Sequence, residues 1–555
     1  MMKMKWKSKK EVFFFWVENI SLIQFLDEGD DDEEWDMYDS DDTSWKVRRA
    51  AVQVTDTIIL VHPQILRELA ESVFDKLIRR FREKEQNVKL DVFNTLTDFL
   101  KMIVYSDERR DNDENLEEIL ERPELSRLKS SFLDFNHKIS FMISNLIKVF
   151  SDKKSTPVLK IAASNLLLRA AKYTPEAVVE NIDPVFNLIK NNYSQSSNPS
   201  ELRVNMLKVL RALLKAQTGK VRPQFEKCFE DIIALIRSAI QNDYFKLSSE
   251  GFRDLSVFYK VLRPTVSDPA GGYKTFVQPS IGLVISKLGE TDIDQEIKYA
   301  VTLNAVALVS TFGDVLAANE LIPIFTQLLN KLKSEIKRQQ TMKALSKIPT
   351  REINFNQSNE FYQLLESFLQ ELYTLLLKQD RTLKISALEV LDMVLGIFKQ
   401  NLPKQYQQEI VRNISPFIRD EDLYLAQLSI DLLINIIHVN PTGLPEYDDT
   451  IRNAIALSKS SLVQGVVIDK LTELFSLVGK NNLADTNSIV NHLMTDINKN
   501  SLVPTARCIA AVIQHGGAST YIQKFTDNVR IIDLFLNSNF DKIVGFTKGF
   551  VGSTT

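Results

Sequence analysis

Apolar residues recur along this chain at steps of three and four, the spacing of one helical face. Leu66, Leu69, Val73, Leu77 and Phe81 fall in line, with Arg67, Glu71, Asp75, Lys76 and Arg79 between them. That pattern predicts an amphipathic helix with one buried stripe and one wet face. Further on, Ala387, Leu391, Val394 and Phe398 form a second stripe, which Leu388 and Leu395 widen. A stripe that broad predicts a helix nearly buried between neighbours. The chain therefore mixes two kinds of helix, a sandwiched helix A and a more exposed helix B.

These helices repeat. An aliphatic or aromatic residue directly before a basic one marks helix A at Val47/Arg48, Val88/Lys89, Leu159/Lys160, Leu202/Arg203, Phe245/Lys246, Ile297/Lys298, Ile336/Lys337 and Leu383/Lys384. The steps are 41, 71, 43, 43, 52, 39 and 47 residues, and weaker copies without the basic residue follow at Leu423 and Leu462. A period near 40 residues carried by helices is the signature of a HEAT or armadillo-type α-solenoid. The expectation is an all-α, curved superhelix of about eleven helical pairs, each A followed by its B, over residues 44–540. The step of 71 residues contains the polar stretch 106–124, read as a long loop inside one repeat.

Three acids recur with the markers. Asp294, Asp380 and Asp420 each stand three residues before an aliphatic marker. There a carboxylate can accept the free N–H groups of the first helical turn and meet the positive end of its dipole. They are expected to cap A helices. The basic residues Arg48, Lys89, Lys160, Arg203, Lys246, Lys298, Lys337 and Lys384 lie one turn on. They are expected to reach acids of neighbouring repeats as a structural ladder that fixes register.

Composition agrees with helices: Gly and Pro number 17 each in 555 residues, too few for a turn-rich β fold. Two cysteines, Cys228 and Cys508, exclude a disulfide framework and a cysteine-held metal. No run of eighteen apolar residues predicts a membrane span. Residues 1–26 imitate a secretory signal, but Glu18 and Asn19 interrupt the apolar run, so an irregular or misassigned start is expected. Residues 27–43 hold 11 acids and no Lys or Arg, which predicts a solvated flexible linker. The remainder is mildly basic without the clustered face of a nucleic-acid binder. Residues 541–555 read as a tail.

Catalytic chemistry finds no footing. His62, His137, His438, His492 and His515 are scattered, with no second ligand at metal spacing. No phosphate-binding or dinucleotide-binding glycine loop occurs, and the HGGAS stretch beginning at His515 lacks the strand context and nucleophile elbow of an oxyanion loop. No cofactor and no small-molecule substrate are expected.

The segments DDTSWKVRRAAVQVTDTI, FREKEQNVKLDVFNTL, NDYFKLSSEGFRDLSVFYKVLRP, TDIDQEIKYAV, LKSEIKRQQTMKAL and RTLKISALEVLDMVLG together resemble the cullin-associated and neddylation-dissociated family. The resemblance runs over about residues 27–540 and is to the family's central portion, members being longer at both ends. It implies a non-catalytic HEAT-repeat protein of the cytoplasm and nucleus that wraps an unmodified cullin with its RING subunit. It further implies regulation of ubiquitin ligase assembly by exchange of substrate-receptor adaptors. A nuclear transport receptor, also a long HEAT solenoid with an acidic loop, is the alternative. A tubulin-binding array is disfavoured, since Trp6, Trp16, Trp35 and Trp45 all precede the second repeat.

Overall fold

The computed structural model describes residues 44–105 and 136–515, apart from short stretches within them. The expected irregular start, acidic linker, polar loop at 106–124 and tail lie outside the described residues. Among the described residues the chain is helical and contains no strand. It divides into two compact units, one ending at Gly282 and including Thr291–Asn304, the other holding Leu283–Glu290 and everything from Ala305.

The first unit contains α1 (Ser44–Val61), α2 (Leu66–Ser72), α3 (Phe74–Arg79), α4 (Gln86–Tyr105), α5 (Asn136–Ser151), α6 (Pro157–Tyr173), α7 (Pro175–Glu180) and α8 (Ile182–Ser194). It continues with α9 (Ser200–Gln217), α10 (Pro223–Glu226), α11 (Phe229–Ile240) and α12 (Phe245–Leu262). Helices α13 (Gln278–Gly289) and α14 (Gln295–Phe312) are divided between the units. The second unit then runs through α15 (Ala318–Lys333), α16 (Glu335–Leu345), α17 (Asn359–Leu376), α18 (Arg381–Phe398) and α19 (Lys404–Ile414). It ends with α20 (Leu423–Val439), α21 (Tyr447–Ser458), α22 (Val466–Asn481), α23 (Thr486–Met494) and α24 (Leu502–His515).

The stripe from Leu66 to Phe81 is buried throughout, although the single helix expected there breaks at Val73 into α2 and α3. Helix α18 buries both the narrow stripe and its widening, Leu388 and Leu395 included. The A helices stack directly on one another: α1 on α4, α4 on α6, α6 on α9 and α9 on α12 in the first unit, and α16, α18, α20, α22 and α24 in the second. That contact imposes the sequence period, because each A helix must match its predecessor and its successor.

The pairing differs from the expectation by one helix. Most A helices pack against the B helix before them: α5 with α6, α8 with α9, α11 with α12, α15 with α16, α17 with α18 and α23 with α24, while α6 also touches α7 after it. The turns into A helices are short, down to the single residue Ser334 between α15 and α16.

Candidate partner-binding surface

Helix capping decides how the A helices begin. The Asp294 carboxylate accepts the Glu296 N–H at 2.7 Å, and Asp380 accepts the N–H groups of Thr382 and Leu383 at 2.8 and 3.3 Å. Asp420 does not cap α20. Asp422 does, accepting from the N–H groups of Tyr424 and Leu425 at 3.1 and 3.2 Å, while Asp420 accepts from the Ser460 hydroxyl. The marker explains the slip: Leu383 lies three residues into α18, but Leu423 is the first residue of α20. Leu462 slips further, lying 56% exposed in the turn before α22.

Asp422 also takes the Arg381 guanidinium of α18 in a forked bond, which, with the two N–H groups, holds its carboxyl below the usual carboxylate range. The stability it supplies is present above that range and is lost as the pH falls through its lowered value. Asp422→Ala is expected to loosen α20 by about 0.5 to 2 kcal/mol, and Asp420→Ala to leave the helix start unchanged. Hydrogen exchange over the first turns of α20 distinguishes them; equal effects of the two substitutions would refute the assignment.

The predicted basic ladder forms at Arg48, which pairs with Glu83 at 3.0 Å. Arg203 instead donates to its own repeat, to the Tyr193 carbonyl at 3.0 Å. Lys246 lies over the Phe245 ring and Lys384 over the Phe417 ring. Among the described residues Lys89, Lys160, Lys298 and Lys337 form no ion pair. Burial pushes the Lys89 ammonium below its usual range, against the pull of Asp152 and Glu83.

A ladder does exist, on other residues. In the first unit Arg49 of α1 donates to Asp91 of α4 at 2.8 Å, and Asn205 of α9 to Asn165 of α6 at 2.9 Å. Arg211 of α9 donates to Asp254 of α12 at 2.8 Å and to Glu250, and Arg253 of α12 to Glu296 of α14 at 2.9 Å. In the second unit Asn435 of α20 reaches Asp392 of α18 at 2.7 Å, Lys470 of α22 reaches Asp431 at 2.9 Å, and Arg507 of α24 reaches Asp469 at 2.9 Å. Each rung joins an A helix to a neighbouring A helix. Their positions relative to the marker vary from repeat to repeat, so no fixed sequence offset exposes them.

Between the rungs of the second unit lies a groove of about 590 Å³, lined among others by Glu389, Asp392, Asp431, Asn435, Lys470 and Glu473, with His438 at its wall. Four carboxylates stand against one ammonium in that lining. Burial pushes the Asp392 carboxyl up, Asn435 opposes this, and Asp431 adds to it. Bonding to Asp431 and Glu473 holds the Lys470 ammonium above its usual value. Such a surface suits the lysines and arginines of a macromolecular partner more than an anionic one. No cluster of three or more His, Cys, Asp or Glu able to hold a metal occurs among the described residues. No described helix is long and apolar enough to cross a membrane.

A family model described as "CAND1-like, TPR repeats" matches residues 176–303, the stretch holding the Arg211 and Arg253 rungs. The chain is 28% identical over 483 residues to the Cullin-associated NEDD8-dissociated protein 1 of Drosophila melanogaster, covering 85% of the chain and 36% of that relative. It is 25% identical over 490 residues to the protein of the same name in Arabidopsis thaliana, covering 86% and 38%. Among solved structures, Kap95p in its binding to RanGDP aligns at a TM-score of 0.57 and 12% identity, over 98% of this chain and 71% of that one. Importin beta aligns at 0.52 and 11%, over 99% and 68%. At that identity the likeness is one of fold, the HEAT solenoid. The chain spans a little over a third of the length of these curated relatives, and about 85% of its own length is similar to the cullin-associated NEDD8-dissociated proteins.

Proposed function

We propose that the chain is a non-catalytic scaffold that binds an unmodified cullin with its RING subunit and regulates ligase assembly by exchanging substrate-receptor adaptors, in the cytoplasm and nucleus. The observation that carries this reading is the similarity to cullin-associated NEDD8-dissociated proteins over about 85% of the chain. The architecture supports it, since within each unit stacked A helices joined by polar rungs form the repeat surface on which solenoids take protein partners. The likeness to Kap95p and importin beta is too distant in sequence to favour nuclear transport.

Adaptor exchange needs a grip at more than one place on the ligase, and the strength of a tethered grip depends on every part being linked. With a little over a third of the relatives' length, this chain is expected to associate detectably with a purified cullin and RING subunit. It is expected not to eject a bound adaptor at stoichiometric concentration. Release of a labelled adaptor, followed in competition on purified components, checks this. Absence of any cullin association, with capture of a Ran-type GTPase in its place, would refute the proposed function. Efficient release would refute only the expectation of a one-sided grip.

A further inference from the structure

Five charged side chains meet in the first unit where α9, α12 and the opening turns of α14 adjoin. Arg211 donates to Asp254 and Glu250, while Arg253 donates to Glu250 at 2.7 Å and to Glu296 at 2.9 Å. Three carboxylates thus face two guanidiniums, leaving one negative charge in excess. The excess is graded by burial: the side chain of Glu296 is 34% exposed, that of Glu250 7% and that of Asp254 0%.

Two cations of the adjoining elements, Arg237 and Lys298, are not paired with Asp254 among the described residues. On the α11 side, Ala239 and Ile240 close on Gly251, and Arg237 bonds the Ser280 hydroxyl and the Phe276 carbonyl instead. Lys298, buried on α14, forms no ion pair among the described residues. Asp254 Oδ1 takes the Arg211 bond, and Oδ2 is buried without a hydrogen-bond partner. An interior carboxylate with a bare oxygen and an uncompensated charge is costly, and one proton on that oxygen cancels the excess.

We propose that this cluster is a proton-operated latch, in which Asp254 takes up a proton to tighten the joint between α9, α12 and α14 and loses it to slacken the joint. Burial, outweighing the pull of Arg211, pushes the Asp254 carboxyl up to about 7. A folded-state value raised above the unfolded one means stability fully present below the ordinary carboxylate range and lost as the pH rises through about 7. The latch therefore works near neutrality, opposite in sense to Asp422.

Hydrogen exchange of the full chain at about pH 6 and about pH 8, corrected for intrinsic rates, tests the latch. Protection of peptides from α9 and α12 is expected to fall about tenfold toward the alkaline side, with α24 unchanged. Asp254→Asn is expected to abolish that difference. Glu250→Gln, which removes a negative charge that adds to the effect of burial on Asp254, is expected to move the drop to lower pH. Protection in the unaltered chain that ignores pH, or a drop whose midpoint is the same in Glu250→Gln, would overturn the proposal; both readings hold even if Asp254→Asn does not fold.

Discussion

Arg211→Ala is expected to cost the first unit about 3 to 5 kcal/mol, because truncating one partner of a buried pair strands the other. The guanidinium is the cation that reaches Asp254, whose side chain is wholly buried, and it shares Glu250 with Arg253. Its own pKa is raised by Asp254 and Glu250 in spite of burial, so it stays charged at every relevant pH. Hydrogen exchange should show α9 and α12 opening together while helices of the second unit keep their protection, since damage in a repeat stack stays near its own repeat. Asp254→Asn in the same chain should restore part of the loss, which a double-mutant cycle measures. A loss below about 1 kcal/mol would place the pair with exposed ion pairs and contradict its burial.

The second large effect is expected from a methyl group. At Gly479 of α22 a Cβ would stand 2.6 Å from the Val512 carbonyl oxygen of α24 and 3.2 Å from its Cα. Both obstacles are backbone, so no side chain can turn aside and the two helices must part. Gly479→Ala is expected to destabilise the end of the second unit by about 1 to 3 kcal/mol, the usual range for overpacking. Gly282→Ala is the matched control: it too lies in a helix, its Cβ would meet nothing within 4 Å, and it is expected to stabilise by about 0.5 to 1 kcal/mol. Thermal unfolding of the two variants should shift in opposite directions; a shared direction would mean that helix propensity, not the close approach, decides at Gly479.

Most of the fold is legible in the sequence, for a specific reason. Direct A-on-A stacking forces each A helix to resemble the next, so the period near 40 residues is a record of a contact. Whether an A helix pairs with the B before it or after it is not legible, because a repeating pattern looks the same under either choice. The contacts between the folded helices decide it. Capping is legible at Asp380, where marker and acid keep their offset from the helix start, and misleading at Asp420, where a second acid two residues later stands next to the helix.

The ladder is the least legible part of the surface. Arg49 lies two residues beyond its marker, Arg381 two before, and Arg211 nine beyond. Which cation meets which acid depends on how far each A helix is rotated against its neighbour, and a list of residues does not carry that angle. The groove beside the rungs is invisible for the same reason. Its carboxylates read in sequence as ordinary solvated positions, and only stacking brings Asp392 and Asp431 to one opening.

The rungs also set a distance along the chain. Arg49 meets Asp91 42 residues on, Arg211 meets Asp254 after 43, and Arg381 meets Asp422 after 41. In a chain of 555 residues these separations are under about a tenth of the length, the range of relative contact order in which helical proteins fold fastest. During synthesis at about 5 to 20 residues per second, each new helix finds its docking face already folded and waits only seconds for the next one. A growing chain of this kind never holds more than about one repeat of unburied apolar surface at its open end, and it becomes longer without folding becoming harder.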